Sequence, residues 1–201
     1  MSGRFEEVDW QATPIGEVSL RRRHDPSLDV DVYEVKLGDE FLMSSLFTVA
    51  EEELARLGLA AVEPAPHRDA LDVVVGGLGL GCTARAALED PRVGSLVVVD
   101  ALEAVVGWHR RGLLPGSADL VSDSRTRLVL GDFFAMVAGE GLDPERPGRR
   151  FDVVLLDIDH TPTHLLHARH APFYTVEGLR RLCVSLRPGG VFALWSDDPP
   201  D

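Results

Sequence analysis

Leu71-Asp-Val-Val-Val-Gly76 runs straight into Gly77-Leu-Gly79-Leu-Gly81 and then into Cys82-Thr-Ala-Arg85. A nearly unbroken β-branched run bounded by glycine predicts a strand buried on both faces, as strands of a parallel sheet are. The glycine turn then delivers the chain to a helical stretch, Cys82–Glu89. Outward from this unit the same alternation repeats. Leu96-Val-Val-Val-Asp100 is a second strand, followed by a helix from about Glu103 to Leu113. Arg127-Leu-Val-Leu-Gly131 is a third, and Phe151-Asp-Val-Val-Leu-Leu-Asp157 a fourth. A helix across Val176–Leu186 precedes a fifth, Gly190-Val-Phe-Ala-Leu-Trp195.

Upstream the pattern changes. Between Trp10 and Ser45 the apolar patches Glu17-Val-Ser-Leu20 and Val30–Leu37 flank the polar turn His24-Asp-Pro-Ser27, which predicts a small antiparallel β unit. Thr48 followed by Glu51 is a capping-box signal for a helix through about Ala61, and Val62–His67 is a linker. The expected fold class is therefore α/β: a Rossmann-like parallel sheet of about five strands flanked by helices, preceded by a small N-terminal antiparallel β unit. The expected division is 1–47 for the β unit and 48–201 for the Rossmann-like domain.

The chain has 201 residues, 45% hydrophobic, and a net charge of −13. That charge argues against a nucleic-acid backbone or an anionic membrane as partner. It favours a small cationic substrate, or it serves solubility alone. There is no apolar run near the roughly 18 residues of a membrane span, and Met1–Val8 lacks an apolar signal region. Two cysteines, Cys82 and Cys183, show no pairing or metal spacing and are expected to be reduced thiols. The expected location is the cytoplasm. Arg21-Arg-Arg23 is expected to be a solvated flank.

Open α/β sheets bind ligands beyond the carboxyl ends of their strands. The first strand brings Gly77, Gly79 and Gly81 there, where missing side chains let backbone amides approach a ligand; such turns also serve packing alone. Asp100 ends the second strand, placed either for ribose hydroxyls or for capping a helix. Asp132 and Asp157 follow the third and fourth strands, with the same two readings. A glycine loop and three carboxylates on one rim predict a nucleoside site.

These stretches resemble the spermidine synthases, polyamine aminopropyltransferases of class I S-adenosylmethionine-dependent methyltransferase-like fold. Gly77–Arg85 with Leu88-Glu-Asp-Pro91 resembles the family's glycine motif and its helix. Gly131-Asp132-Phe133-Phe134 resembles its adenine segment, and Phe151–Asp157 the strand ending in its catalytic aspartate. Phe173-Tyr-Thr-Val-Glu177 and Leu186-Arg-Pro-Gly-Gly190 continue in register, Trp10-Gln11 resembles a Tyr-Gln pair, and Gly38-Asp-Glu-Phe41 falls in the family's N-terminal β domain. The resemblance implies a transferase that uses decarboxylated S-adenosylmethionine as co-substrate. Asp100 would bind ribose, Asp132 and Phe133 adenine, Gln11 the ligand from the N-terminal unit, and Asp157 would take the proton of the attacking amine.

Two departures accompany it. Where the family has an aspartate in the glycine motif this chain has Leu80, and where it has Asp-Ser-Ser-Asp this chain has Asp157-Ile-Asp159-His160. Asp159 or His160 is the expected stand-in for the second substrate-binding acid. Loss of the glycine-loop acid gives weight to methyl transfer from ordinary S-adenosylmethionine; a non-catalytic nucleoside-binding protein is a third reading. His160, His164, His167 and His170 fall within eleven residues, the last three at helical spacing, bracketed by Pro162 and Pro172. A loop over the site is expected there, pH-sensitive through its imidazoles, and no metal. The fold usually adds two strands after the fifth, whereas this chain stops at Pro199-Pro-Asp201. A fragment, or an edge covered in a homodimer, is expected.

Overall fold

The computed structural model describes residues 5–13, 16–63 and 69–197. The chain opens with an antiparallel meander, β1 (Phe5–Thr13), β2 (Gly16–Asp25), β3 (Val30–Leu37) and β4 (Glu40–Ser44), in that spatial order. The polar turn closes as expected: the Asp25 carboxylate accepts the Ser27 amide and hydroxyl between β2 and β3. Val18, Leu20 and Val35 point to one face and into the core. Two residues of the Arg21–Arg23 run make ion pairs along the sheet, Arg22 with Glu6 and Arg23 with Glu34.

Helix α1 (Val49–Ala60) begins after Thr48. The capping box does not form: the Thr48 hydroxyl donates to the Glu52 carboxylate at 2.9 Å instead of accepting a backbone N–H. Residues 64–67 of the expected linker lie outside the described residues, as do Asp198 and Pro199-Pro-Asp201.

The second layer comprises β5 (Leu71–Gly76), α2 (Cys82–Glu89), β6 (Val93–Asp100), α3 (Glu103–Arg110), α4 (Ser117–Ser122), β7 (Thr126–Leu130), α5 (Phe133–Ala138), β8 (Phe151–Leu156), a 3-10 turn at Ala168–His170, α6 (Val176–Val184) and β9 (Leu186–Leu194). The strands form one parallel sheet in the order β7-β6-β5-β8-β9. Alternate residues face opposite sides. Val73, Val75, Leu96, Val98, Val153 and Leu155 pack with α1, α2, α3 and the N-terminal sheet. Val74, Val97, Val99, Val154 and Leu156 pack with Phe133, Phe134 and Leu182 from α5 and α6. Both faces are dry, which is why the strands read as unbroken apolar runs.

Several boundaries differ from expectation. α3 stops at Arg110 because Gly112 adopts φ +67° and the Leu113 amide returns to the Trp108 carbonyl, a Schellman-type ending. The chain from Leu186 belongs to β9 and not to the preceding helix. α4 and α5 were not legible: each has six residues, and Phe133–Ala138 is apolar on every side. No described helix is long and apolar enough to cross a membrane.

The half-buried Asp9 carboxylate helps tie the N-terminal sheet to the parallel layer. Asp9 accepts the indole N–H of buried Trp108 and the Arg111 guanidinium, both at 2.6 Å, and Gln11 at 3.2 Å. Burial pushes this carboxyl up, but the three donors together hold it below the usual range. Asp9→Ala leaves the Trp108 N–H buried without its acceptor and should cost about 1–3 kcal/mol, read as a lower midpoint in thermal unfolding.

Candidate functional site

Every parallel strand sends its carboxyl end to one rim, and there a cavity of about 140 Å³ opens between the sheet and the N-terminal meander. Its walls include Gly77 and Gly79 after β5, Asp100 at the end of β6, Asp132 and Phe133 after β7, Asp157 after β8, and Trp195 after β9. Val35, Leu42 and Met43 close it from the meander, and Leu166, His167, Arg169 and His170 contribute from the histidine-rich segment. The strand order reverses between β5 and β8, and there the Asp157 amide donates to the Gly76 carbonyl at 2.8 Å.

Gly77 has φ +96°, and a Cβ on it would collide with the Asp157 carbonyl oxygen. The two rim segments therefore approach as closely as a glycine backbone permits. The next turn is held from below: the His109 Nε2–H donates to the Gly79 carbonyl at 2.9 Å, and the Ser117 hydroxyl donates to His109 Nδ1 at 3.0 Å. A carbonyl only accepts, so that contact sets the tautomer; burial keeps His109 neutral by lowering its pKa. His109 carries no local signal in the sequence, since its partners are 30 residues before it and 8 after it.

The carboxylates divide their work. Asp100 accepts the amides of Leu78 and Leu102, each at 2.8 Å, so it braces the glycine loop and the start of α3 at once. Burial raises its pKa against those bonds and a further one from the Gly79 amide. A carboxylate has about four acceptor directions, which leaves capacity for ligand hydroxyls. Asp132 caps α5 through one oxygen, taking the amides of Phe134 at 3.0 Å and Ala135 at 3.2 Å, while its other oxygen stands 3.4 Å from the Arg169 guanidinium. The cap reading and the cavity reading thus meet in the same residue. Phe133 is in the core with its ring on the cavity wall.

Asp157 accepts one short bond, 2.6 Å, from the hydroxyl of buried Thr83. Burial pushes its carboxyl up to about 6 in spite of that bond, and the neighbouring Glu51 charge adds to the rise. Thr83→Val keeps the shape and removes the donor that favours the anion. The Asp157 pKa should then climb further, by about one pH unit, in a carboxyl ¹³C titration.

Other expected positions fall elsewhere. Gln11 bonds Asp9 on the meander, and Gly81 packs on His109; neither lines the cavity. Asp159 is 1% exposed, and its carboxylate receives the Leu166 amide, the His170 Nδ1–H and the Tyr174 hydroxyl, which shapes the loop that forms one cavity wall. His160 does line the cavity, its ring 3.3 Å from Glu40 and 3.4 Å from Asp197. Leu80 is buried in the core and does not face the cavity; Gly79 does, and Met43 occupies the space of its absent side chain. The Met43 sulfur accepts the Leu80 amide at 3.2 Å.

The histidine segment is not a helix. Only Ala168–His170 form a turn of 3-10 helix, with His170 buried and stacked on Phe134 at 4.0 Å. Among the described residues no group of three His, Cys, Asp or Glu side chains is arranged to hold a metal ion. Cys82 is buried beside Arg85, and burial pushes its thiol pKa up, which suits a packing residue.

Comparison with known proteins follows the same lines. No family model matches the chain. Polyamine aminopropyltransferase 2 of Pseudomonas aeruginosa is 32% identical over 151 residues, 69% of this chain and 39% of that protein. The polyamine aminopropyltransferase of Pyrobaculum arsenaticum is 29% identical over 154 residues, 76% of this chain and 50% of that one. The chain thus spans half or less of the length of these relatives. Among solved structures, a spermidine synthase in complex with the transition-state analogue AdoDATO superposes with a TM-score of 0.71 at 19% identity, covering 94% of this chain and 57% of its own. Spermidine synthase from Thermotoga maritima gives 0.69 at 18% identity, with 94% and 56% covered. In sequence the chain is similar to the polyamine aminopropyltransferases, and its α/β architecture with a four-stranded antiparallel meander in front is the methyltransferase-like class I fold of spermidine synthase.

Proposed function

We propose that this chain transfers an aminopropyl group from decarboxylated S-adenosylmethionine to a primary amine of a small cationic acceptor. The observation that carries the reading is Asp157: a half-buried carboxyl on the cavity wall, at the switch point of the sheet, with a pKa of about 6. At neutral pH such a group is mostly ionised yet basic enough to take a proton from a nearby ammonium. Asp100, Asp132 and Phe133 line the β6–β7 end, where a nucleoside is accommodated by two carboxylates and an aromatic ring. The acceptor then approaches from the β8–β9 end.

In the reaction, Asp157 removes a proton from the acceptor ammonium, and the freed lone pair attacks the carbon bonded to the donor sulfonium. The C–S bond breaks, its electron pair neutralises the sulfur, and methylthioadenosine leaves. The sulfonium is already a good leaving group, so the chain's contribution is placement and control of one proton. Leu80 is buried in the core and not on the cavity wall, so its side chain selects for neither donor. The acidic residues of the wall supply no counter-charge for a donor carboxylate.

The same reading carries the division at residues 47 and 48, a homodimer and a cytoplasmic location; a monomer in sedimentation would remove the second of these. The chemistry is tested by mass spectrometry of the purified chain with each sulfonium donor and a mixture of diamines and polyamines. Methylthioadenosine with an acceptor heavier by one aminopropyl group is the expected result. S-adenosylhomocysteine in its place would assign methyl transfer, and tight nucleoside binding without turnover would assign a binding role.

A further inference from the structure

We infer that Glu51 is a specificity-determining residue that forms, with Asp157, a two-carboxylate seat for the reacting amine at the β8–β9 end of the cavity. The inference rests on the amine-transfer reading above and assigns a residue to its acceptor side. Glu51 lies in the first turn of α1, and α1 packs across β8 and β9, the strands whose ends carry Asp157 and Trp195. The Glu51 carboxylate stays close to its own backbone N–H in that first turn and forms part of the cavity wall. Thr83 lies between the two residues: its hydroxyl donates to Asp157 Oδ2 at 2.6 Å and stands 3.2 Å from the Glu51 backbone carbonyl oxygen.

The surroundings are apolar, with Leu42, Met43, Ile158 and Trp195 on the same cavity. Two carboxylates in such a place repel each other and are poorly solvated, and burial raises both pKa values. A cation between them relieves both costs, whereas a neutral or anionic ligand relieves neither. The Arg169 guanidinium is paired with Asp132 at the opposite, nucleoside end. An ammonium is therefore the complementary ligand. Glu51 holds the ammonium while Asp157 accepts one of its protons, after which the neutral amine attacks as described above.

Isothermal titration of 1,4-diaminobutane into the full chain saturated with methylthioadenosine tests this. Glu51→Gln keeps the shape, relieves the repulsion with Asp157, and should not impair folding. We expect it to weaken diamine binding at least tenfold, with methylthioadenosine affinity unchanged. In turnover the loss should appear in the acceptor KM more than in kcat. Glu52→Gln removes the same charge one residue along, where the side chain bonds Thr48 and Arg56, and should leave diamine affinity within twofold. Equal weakening by both variants would mean a general field effect and would overturn the seat, as would unchanged affinity in Glu51→Gln or no diamine binding in the unaltered chain. Transfer by the unaltered chain with a Glu51-independent diamine affinity sinks the seat and leaves the transfer reading. Glu51-dependent binding without transfer does the reverse.

Discussion

Asp157→Asn is expected to make the protein inactive and more stable at once. The activity loss follows from the proposed role: an amide takes no proton, and general-base removal typically costs 10²–10⁴-fold. The stability gain follows from the raised pKa. With about 6 in the folded chain against 3.8 for an unperturbed aspartate, ionised Asp157 costs about 3 kcal/mol of folding free energy. The sign is that of a carboxyl whose folded state binds its proton more tightly than the unfolded state. As pH rises from about 4 to 6 the wild type loses stability, and above 6 the penalty is complete. The asparagine still accepts the Thr83 hydroxyl but never ionises, so its advantage should be full above pH 6 and vanish below pH 4. Denaturant titrations of both proteins at pH 4 and pH 7.5 check this. Equal stability at pH 7.5 would mean that Asp157 is solvated well enough to ionise normally, and that the cavity does not prepare a base.

Gly77→Ala should have the largest structural effect of any single methyl added to the rim. Two costs add there. The backbone is at φ +96°, which a Cβ disfavours, and the methyl would overlap the backbone carbonyl of Asp157, which cannot rotate away. Relief requires β5 and β8 to part at the switch point, breaking the bond from the Asp157 amide to the Gly76 carbonyl. We expect a loss above about 3 kcal/mol and the disappearance of nucleoside binding. Gly112→Ala is the matched control: its φ is also positive, +67°, but nothing lies within 4 Å of the added atom, so about 1 kcal/mol is expected. Equal unfolding midpoints for the two variants would show that backbone strain alone matters and that the contact between the rim segments does not.

How far the sequence was legible depends on how local each cause is. β5 and α2 have the bounds that Leu71–Gly76 and Cys82–Glu89 predict, because a β-branched run and a glycine turn act within a few residues of themselves. The rim positions of Asp100, Asp132 and Asp157 follow for the same reason, each standing at or just after the end of a strand. α5 was hidden because Phe133–Ala138 is apolar at every position, the exposed Ala135 and Ala138 included, which erases the period that marks a helix. Glu51 was hidden by a plausible local use as a capping residue; the passage of α1 over β8 and β9 brings it to the cavity wall. Asp159 and Gln11 show the opposite case: their residue types suit a ligand, and the structure pairs them with His170 and Asp9 away from the cavity lining.

By itself, then, the sequence determined the layers, the strands that compose the sheet and the rim that carries the acids, all consequences of side-chain period and chain connectivity. Tertiary structure alone decided which of those acids share a cavity, which are saturated by backbone donors, and which one is left short of them. Those properties depend on distances between residues tens of positions apart, as between Thr83 and Asp157 or Gly79 and His109, and on the water excluded where they meet.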